Sequence, residues 1–170
     1  MSKDIVIFNR GLATLFAIVT ISGSVMAQQH YSLGSSELSL PSGWRQVKRD
    51  EDKLVFRSPD QRQQATVTVM HFGADPTFES FTKLCQHRID VEKRDLSDGF
   101  IEPDTPKPFK DGDTFGLLYY GGDKKSGRVF SGYLSLRQRQ LLTIYLEGIG
   151  IDPKEHLASF KAFVTGLKRN

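Results

Sequence analysis

The sequence predicts an α+β domain, a mostly antiparallel sheet with helices packed on it as a three-layer α/β/α sandwich. Three observations carry this reading. Short runs of alternating apolar and polar residues recur between Glu37 and Glu147, bounded by Gly, Pro and Asp turns. Two stretches open with helix-start signals, at Asp75-Pro76 and Asp152-Pro153. Three strand patterns then follow one another late in the chain with only short turns between them, which makes an antiparallel meander.

The chain begins with a segment that reads as a secretory signal peptide, Met1 to Ala27. Lys3 and Arg10 supply the positive start, Gly11 to Ile21 a short apolar run, and Ser22-Gly23-Ser24 a break. Val25-Met26-Ala27 then offers small or modest residues where a signal peptidase reads. The rival reading is a membrane anchor, but a spanning helix needs about 20 apolar residues. The run here is shorter and contains Thr14 and Thr20. The only cysteine, Cys85, is far downstream, so the lipoprotein route is closed. Residues 28–170 are then one domain, periplasmic or secreted, with no stable membrane insertion after cleavage.

The elements follow in order. Gln28 to Ser36 is polar and reads as a loose start. Glu37 to Leu40 alternates as a short strand, Pro41-Ser42-Gly43 turns, and Trp44 to Lys48 leads out as a second strand. After the charged turn Asp50-Glu51-Asp52, Lys53 to Ser58 is a strand with Leu54 and Phe56 on one side. Ala65 to Phe72 is apolar enough on both faces to predict a central strand covered from both sides. The first helix takes Asp75 as its cap and carries Phe78, Phe81, Cys85 and Ile89 on one stripe, with the charged part after Arg88 solvated. Cys85 on that stripe reads as a buried small hydrophobe. Phe100 to Lys110 contains Pro103, Pro106 and Pro108, which argue for an extended edge segment or a surface loop. Asp111-Gly112 is a hairpin signal. Thr114 to Tyr120, Arg128 to Leu136 and Leu141 to Glu147 form the meander. In the closing helix Asp152, Pro153 and Glu155 occupy cap, first and third positions, and Leu157, Phe160, Phe163, Val164 and Leu167 form the apolar stripe. Lys168 and Arg169 fall where a helix dipole favours cations.

Several of these stretches carry a family resemblance. Leu40-Pro41-Ser42-Gly43-Trp44 resembles the "hydrophobic-Pro-x-Gly-Trp" opening of PsbP-like domains, a group that includes Mog-like proteins and small exported bacterial domains of the DcrB type. Leu54-Val55-Phe56-Arg57-Ser58-Pro59 is similar to the strand and turn that follow, and Ala65-Thr66-Val67-Thr68-Val69 to the central strand. Leu142-Thr143-Ile144-Tyr145 and Phe160 to Leu167 are similar to the late strand and the closing helix. The resemblance spans Leu38 to Lys168. It implies an antiparallel sheet between helices and a non-catalytic role in binding or assembling other proteins, and it transfers no catalytic residue.

The residues themselves point to no chemistry. The chain has no Gly-x-Ser-x-Gly elbow, no His-Glu-x-x-His, no Cys-x-x-Cys and no phosphate-cradling glycine loop. His30, His71, His87 and His156 are too scattered to predict a metal site and read as surface or half-buried histidines. Asp111-Gly112-Asp113 lacks the later ligands of a calcium loop. No cofactor is expected. With 23 Lys and Arg against 20 Asp and Glu, the formal net charge of +3 makes no case for nucleic acid, which wants a clustered basic face.

Two features remain as candidates. Tyr119, Tyr133 and Tyr145 lie on the three meander strands, with Tyr120 beside Tyr119, and form either a ligand or partner face or the cover of the sheet under a helix. The segment from Gly99 to Gly112, with Phe100, Ile101 and Phe109, is either a capture segment for a partner or a rigid cover over the sheet edge. The expected function is an exported, non-catalytic module that binds another exported or envelope protein, of an immunity or chaperone type. The alternative is a small-ligand or lipid carrier with a tyrosine-lined pocket between sheet and helix.

Overall fold

The computed structural model describes residues 29–103 and 105–169, so the signal-peptide expectation for Met1 to Ala27 lies outside the described residues. In chain order the elements are β1 (His30–Leu33), β2 (Ser36–Ser39), β3 (Arg45–Arg49), β4 (Lys53–Arg57), β5 (Gln63–His71), α1 (Phe78–Arg94), β6 (Gly99–Glu102), β7 (Phe109–Asp111), β8 (Thr114–Asp123), β9 (Arg128–Arg137), β10 (Gln140–Ile149), α2 (Pro153–Thr165) and β11 (Leu167–Arg169). An eight-stranded sheet runs β3-β4-β5-β10-β9-β8-β6, with β7 also on β8, and a three-stranded sheet runs β1-β2-β11. Every pairing is antiparallel. The α+β expectation is met, with one helix on each face of the large sheet.

The two helices cover different halves of opposite faces. On one face Phe160 and Phe163 of α2 pack on Leu54 and Phe56 of β4, Val67 of β5 and Ile144 of β10. The small sheet and the turn after it close this core with Leu33, Leu38, Leu40 and Trp44. The Trp44 ring meets Phe163 edge to face at 4.8 Å between centroids, so Trp44 is a core anchor. On the opposite face Phe81, Cys85 and Ile89 of α1 pack on Leu117, Phe130, Leu134 and Leu136, at the β8–β9 end of the sheet. Strand alternation assigns each residue to a face. Ile144 lies opposite both Val67 and Tyr133, and Leu134 lies opposite both Thr143 and Leu117.

Four local expectations are corrected. The start of the described chain is not loose, because His30–Leu33 pairs with Ser36–Ser39 through a turn in which Gly34 has φ +59°. Strand β5 is central but covered on one face only. Ala65, Val67 and Val69 are buried, whereas Met70 on the other face is 56% exposed, because α1 lies towards the far end of the sheet. Helix α1 takes Thr77, not Asp75, as its cap: the Thr77 hydroxyl accepts from the Ser80 N–H, and Asp75 instead pairs with Arg139 at 2.7 Å. Its later turns are not fully solvated either, since Ile89 and Glu92 are both buried.

Helix α2 starts as expected, with the Asp152 side chain accepting from the Lys154 N–H. It stops two residues early. At Gly166 a side chain would meet the Ser39 carbonyl at 2.3 Å, so only glycine lets the helix end lie against β2. The chain then continues as β11, where Lys168 lies opposite Glu37 rather than on a helix end. Leu157 is 38% exposed, and His156 fills the buried position of the first turn instead.

Candidate functional site

The six candidate residues do not form one face. Phe100, Phe109 and Tyr133 lie on the α2 face of the sheet, and Ile101, Tyr119 and Tyr145 lie on the α1 face. The expected tyrosine face is therefore corrected by register. Tyr133 is opposite Ile144 and Leu118, whereas both Tyr119 and Tyr145 are opposite Gly132. Ile101 and Tyr119 are 4% and 3% exposed.

The α2 face beyond the reach of α2 carries a strip of apolar and aromatic side chains. Leu118 is 44% exposed and Phe109 is 42% exposed, and Phe100, Tyr120 and Tyr133 are half-buried. Phe100 and Tyr120 meet edge to face at 5.4 Å. Phe109 lies across Gly116, where a Cβ would stand 2.3 Å from its ring, so the glycine opposite it lets the ring lie flat on the sheet. Burial raises the Tyr120 hydroxyl above its ordinary value, with Glu102 on the neighbouring strand adding to the effect. Strands β6 and β7, which flank Pro106 and Pro108 in the chain, both pair with β8 at this edge, as expected of an extended edge segment. The prolines between them withhold N–H donors, which discourages strand addition at that edge.

Leu118 was not among the candidates read from the sequence. Tyr119 and Tyr120 are adjacent in a strand and must point to opposite faces, so only one of them is available to any surface. The signal was present in that alternation, but choosing the bare face requires knowing which half of the sheet each helix covers.

The α1 face holds a different arrangement of the same residue types. Glu92 of α1 is 3% exposed and pairs with Arg88 at 2.5 Å. The Tyr145 hydroxyl donates to Glu92 at 3.2 Å and accepts from Arg128 at 2.6 Å. Arg88 donates to the Tyr119 hydroxyl at 3.3 Å and lies 5.0 Å from the Tyr145 ring centroid. Arg128 also reaches Glu147 at 3.4 Å. Burial pushes the Tyr119 hydroxyl up to about 12 and raises that of Tyr145 further, so both act as neutral hydrogen-bonding groups. The charges in this cluster pair off, and it works as a polar latch between α1 and the sheet. Tyr119 crosses Gly132 so closely that a Cβ there would stand 2.2 Å from its ring.

Among the described residues two serine–histidine pairs lie within hydrogen-bond distance: Ser39 Oγ with His30 Nδ1 at 3.0 Å between β1 and β2, and a buried pair in the α2 core. The Ser131 hydroxyl lies 3.0 Å from His156 Nε2, with both side chains fully buried between β9 and α2. His156 is thus a core histidine rather than the surface or half-buried one expected. Burial drives its pKa down to about 4, which keeps the ring neutral. No substrate reaches a pair with no exposed surface, and the arrangement has no carboxylate orienter among the described hydrogen bonds. Cys85 is buried beneath α1, and burial pushes its thiol up to about 12, the state of an unreactive core cysteine. Among the described residues no group of three His, Cys, Asp or Glu side chains is placed to hold a metal ion.

The described residues form two clefts of note at the surface. The larger, about 660 Å³, lies between the Leu40–Arg45 turn and the end of α2, with Leu40, Pro41, Trp44 and Ala162 among its lining residues. The smaller, about 250 Å³, lies at the start of α1 beside Phe72, Phe81 and Leu84. Neither of these two clefts is lined by a tyrosine. No described helix is long and apolar enough to cross a membrane.

No family model matches the chain, and no curated protein matches it. Solved structures share its architecture. The cyanobacterial PsbP protein CyanoP of Synechocystis sp. PCC 6803 is similar with a TM-score of 0.62 and 17% identity, over 90% of this chain and 99% of that one. LpqN of Mycobacterium tuberculosis, described as involved in cell envelope biogenesis, is similar with a TM-score of 0.52 and 10% identity, over 85% of this chain and 86% of that one. The fold is PsbP-like.

Proposed function

We propose that this chain is an exported, non-catalytic module that binds another exported or envelope protein through the bare strip of Phe100, Phe109, Leu118, Tyr120 and Tyr133. The strip carries the reading. Apolar and aromatic side chains lie together on a sheet face whose other half is fully packed, and rigid aromatics of this kind anchor protein interfaces. The PsbP-like fold and its envelope-associated neighbour support the compartment, as does the leader pattern in the sequence. An assembly factor or inhibitor of the kind the DcrB and Mog resemblance implies fits this surface.

The test is a crosslinked pull-down of the tagged protein from its host's envelope. Wild type is expected to recover one partner near stoichiometrically, Leu118→Asp to lose it, and Met70→Asp, on the other face, to keep it. Equal recovery by Leu118→Asp rejects the strip as the interface.

A second reading rests on the larger cleft. Its volume suits a small ligand, and its apolar floor of Leu40, Pro41 and Trp44 suits an apolar body. Native mass spectrometry of protein from its own host is expected to show a bound mass if the domain is a carrier.

A further inference from the structure

The bare half of the α1 face exposes a side chain that neither binding reading uses. Met70 is 56% exposed, for a reason that lies in the strand ends. It stands opposite Leu141 of β10, but β4 pairs with β5 only as far as Thr68, so no paired residue of β4 flanks it on the other side. Helix α1 packs towards the far end of the sheet and does not cover it. Met70 and Cys85 are the two sulfur-bearing side chains among the described residues, and their settings are opposite. Cys85 is 2% exposed beneath α1, in one cluster with Phe81, Ile89 and Leu117. In an open chain the thiol is the more reactive of the two, because its thiolate forms near neutral pH. In the fold, burial pushes that thiol up to about 12, which leaves about one molecule in 10⁵ ionised at pH 7. A thioether needs no ionisation, only access to the oxidant.

We propose that Met70 is the oxidation site of this domain, taking one oxygen atom from a peroxide while Cys85 stays reduced. The Met70 Sδ lone pair attacks one peroxide oxygen, an S–O bond forms and the O–O bond breaks. The proton on the transferred oxygen passes to the departing hydroxide, which leaves as water. The sulfur is oxidised by two electrons and the peroxide is reduced by two. The product, a methionine sulfoxide, is reversed by its reductases, one for each epimer, whereas cysteine taken to the sulfonic acid is lost. An exposed thioether beside a sealed thiol therefore confines oxidation to a repairable position. The added polarity of the sulfoxide meets water rather than either core, so the oxidised domain stays folded. Met70 shares the face of Leu141, opposite the aromatic strip, so the modification leaves that strip unchanged.

The experiment exposes the folded protein to hydrogen peroxide at neutral pH, then quenches, digests with trypsin and weighs the peptides. Cleavage after Arg62, Lys83 and Arg88 puts Met70 in residues 63–83 and Cys85 in residues 84–88, so the two sites are read separately. Residues 63–83 are expected to gain a single oxygen, at least about tenfold faster than residues 84–88 are modified. Treatment with both methionine sulfoxide reductases should remove that oxygen. Met70→Leu should leave residues 63–83 unmodified. In urea, where the thiol is open, modification of Cys85 should speed up at least about tenfold. The oxidised protein should keep a cooperative urea transition by circular dichroism. An unmodified Met70 under conditions that oxidise free methionine overturns the inference. So does modification of Cys85 in the folded protein as fast as that of Met70, or persistence of the added oxygen in the Met70→Leu peptide.

Discussion

Strand β8 contributes Tyr119 to one face of the sheet and Leu118 and Tyr120 to the other, and the two sets have opposite fates. Tyr119 is buried under α1 and tied to Arg88, while Leu118 is 44% exposed with no helix above it. Tyr145 and Tyr133 also point to opposite faces, but both are half-buried and each packs against the core of its own face. The difference teaches that aromatic content does not mark a binding face here. The offset of the two helices leaves half of each face bare, and on the α2 face the bare half carries the aromatic strip.

The contrast breaks most visibly if a buried aromatic is removed. Phe130 is fully buried beneath α1, and Phe130→Ala is expected to cost about 3–5 kcal/mol in urea unfolding, a large fraction of the stability of a marginal domain. Removing the charge at the centre of the latch should cost nearly as much. Glu92→Ala leaves Arg88 and the Tyr145 hydroxyl without their acceptor, an expected loss of about 3 kcal/mol. A cost below 1 kcal/mol would mean that the cluster is solvated and the latch is not one.

His156 gives a pH-dependent version of the same test on the α2 side. Its folded pKa of about 4 lies below the ordinary 6.5, so the unfolded chain takes up the proton first on acidification. Its contribution is fully present above pH 6.5 and is lost as pH falls towards 4, by about 3 kcal/mol at most. Denaturation midpoints measured across that window should fall for wild type and fall less for His156→Gln. Asp152→Ala, which removes the α2 cap, should cost about 1 kcal/mol. Smallest is the effect on the bare strip: Leu118→Ser should change stability by no more than about 0.5 kcal/mol.

Much of this was legible in the chain. Each strand of the meander and the start of α2 rest on local alternation and capping, and both appear where the residues put them. The α1 start moved because Asp75 and Thr77 are both competent caps two residues apart, and Asp75 is taken by Arg139 across the fold. The shared tyrosine face failed on register. The tight turn at 138–139 pairs Arg137 with Gln140, which sets Tyr145 opposite Gly132 and Tyr133 opposite Ile144. That deduction was available from the turn length. Which half-face stays bare was not, because it depends on where α1 and α2 come to rest.

The most direct measurement compares two neighbours in one strand. Leu118→Asp and Tyr119→Phe differ by one position and point to opposite faces. With the envelope partner in hand, the account predicts that Leu118→Asp loses binding at least about tenfold while remaining folded, as a truncated interface anchor does. It predicts that Tyr119→Phe binds like wild type and loses only some stability through its Arg88 contact. Full binding by Leu118→Asp, or lost binding by a folded Tyr119→Phe, would contradict it.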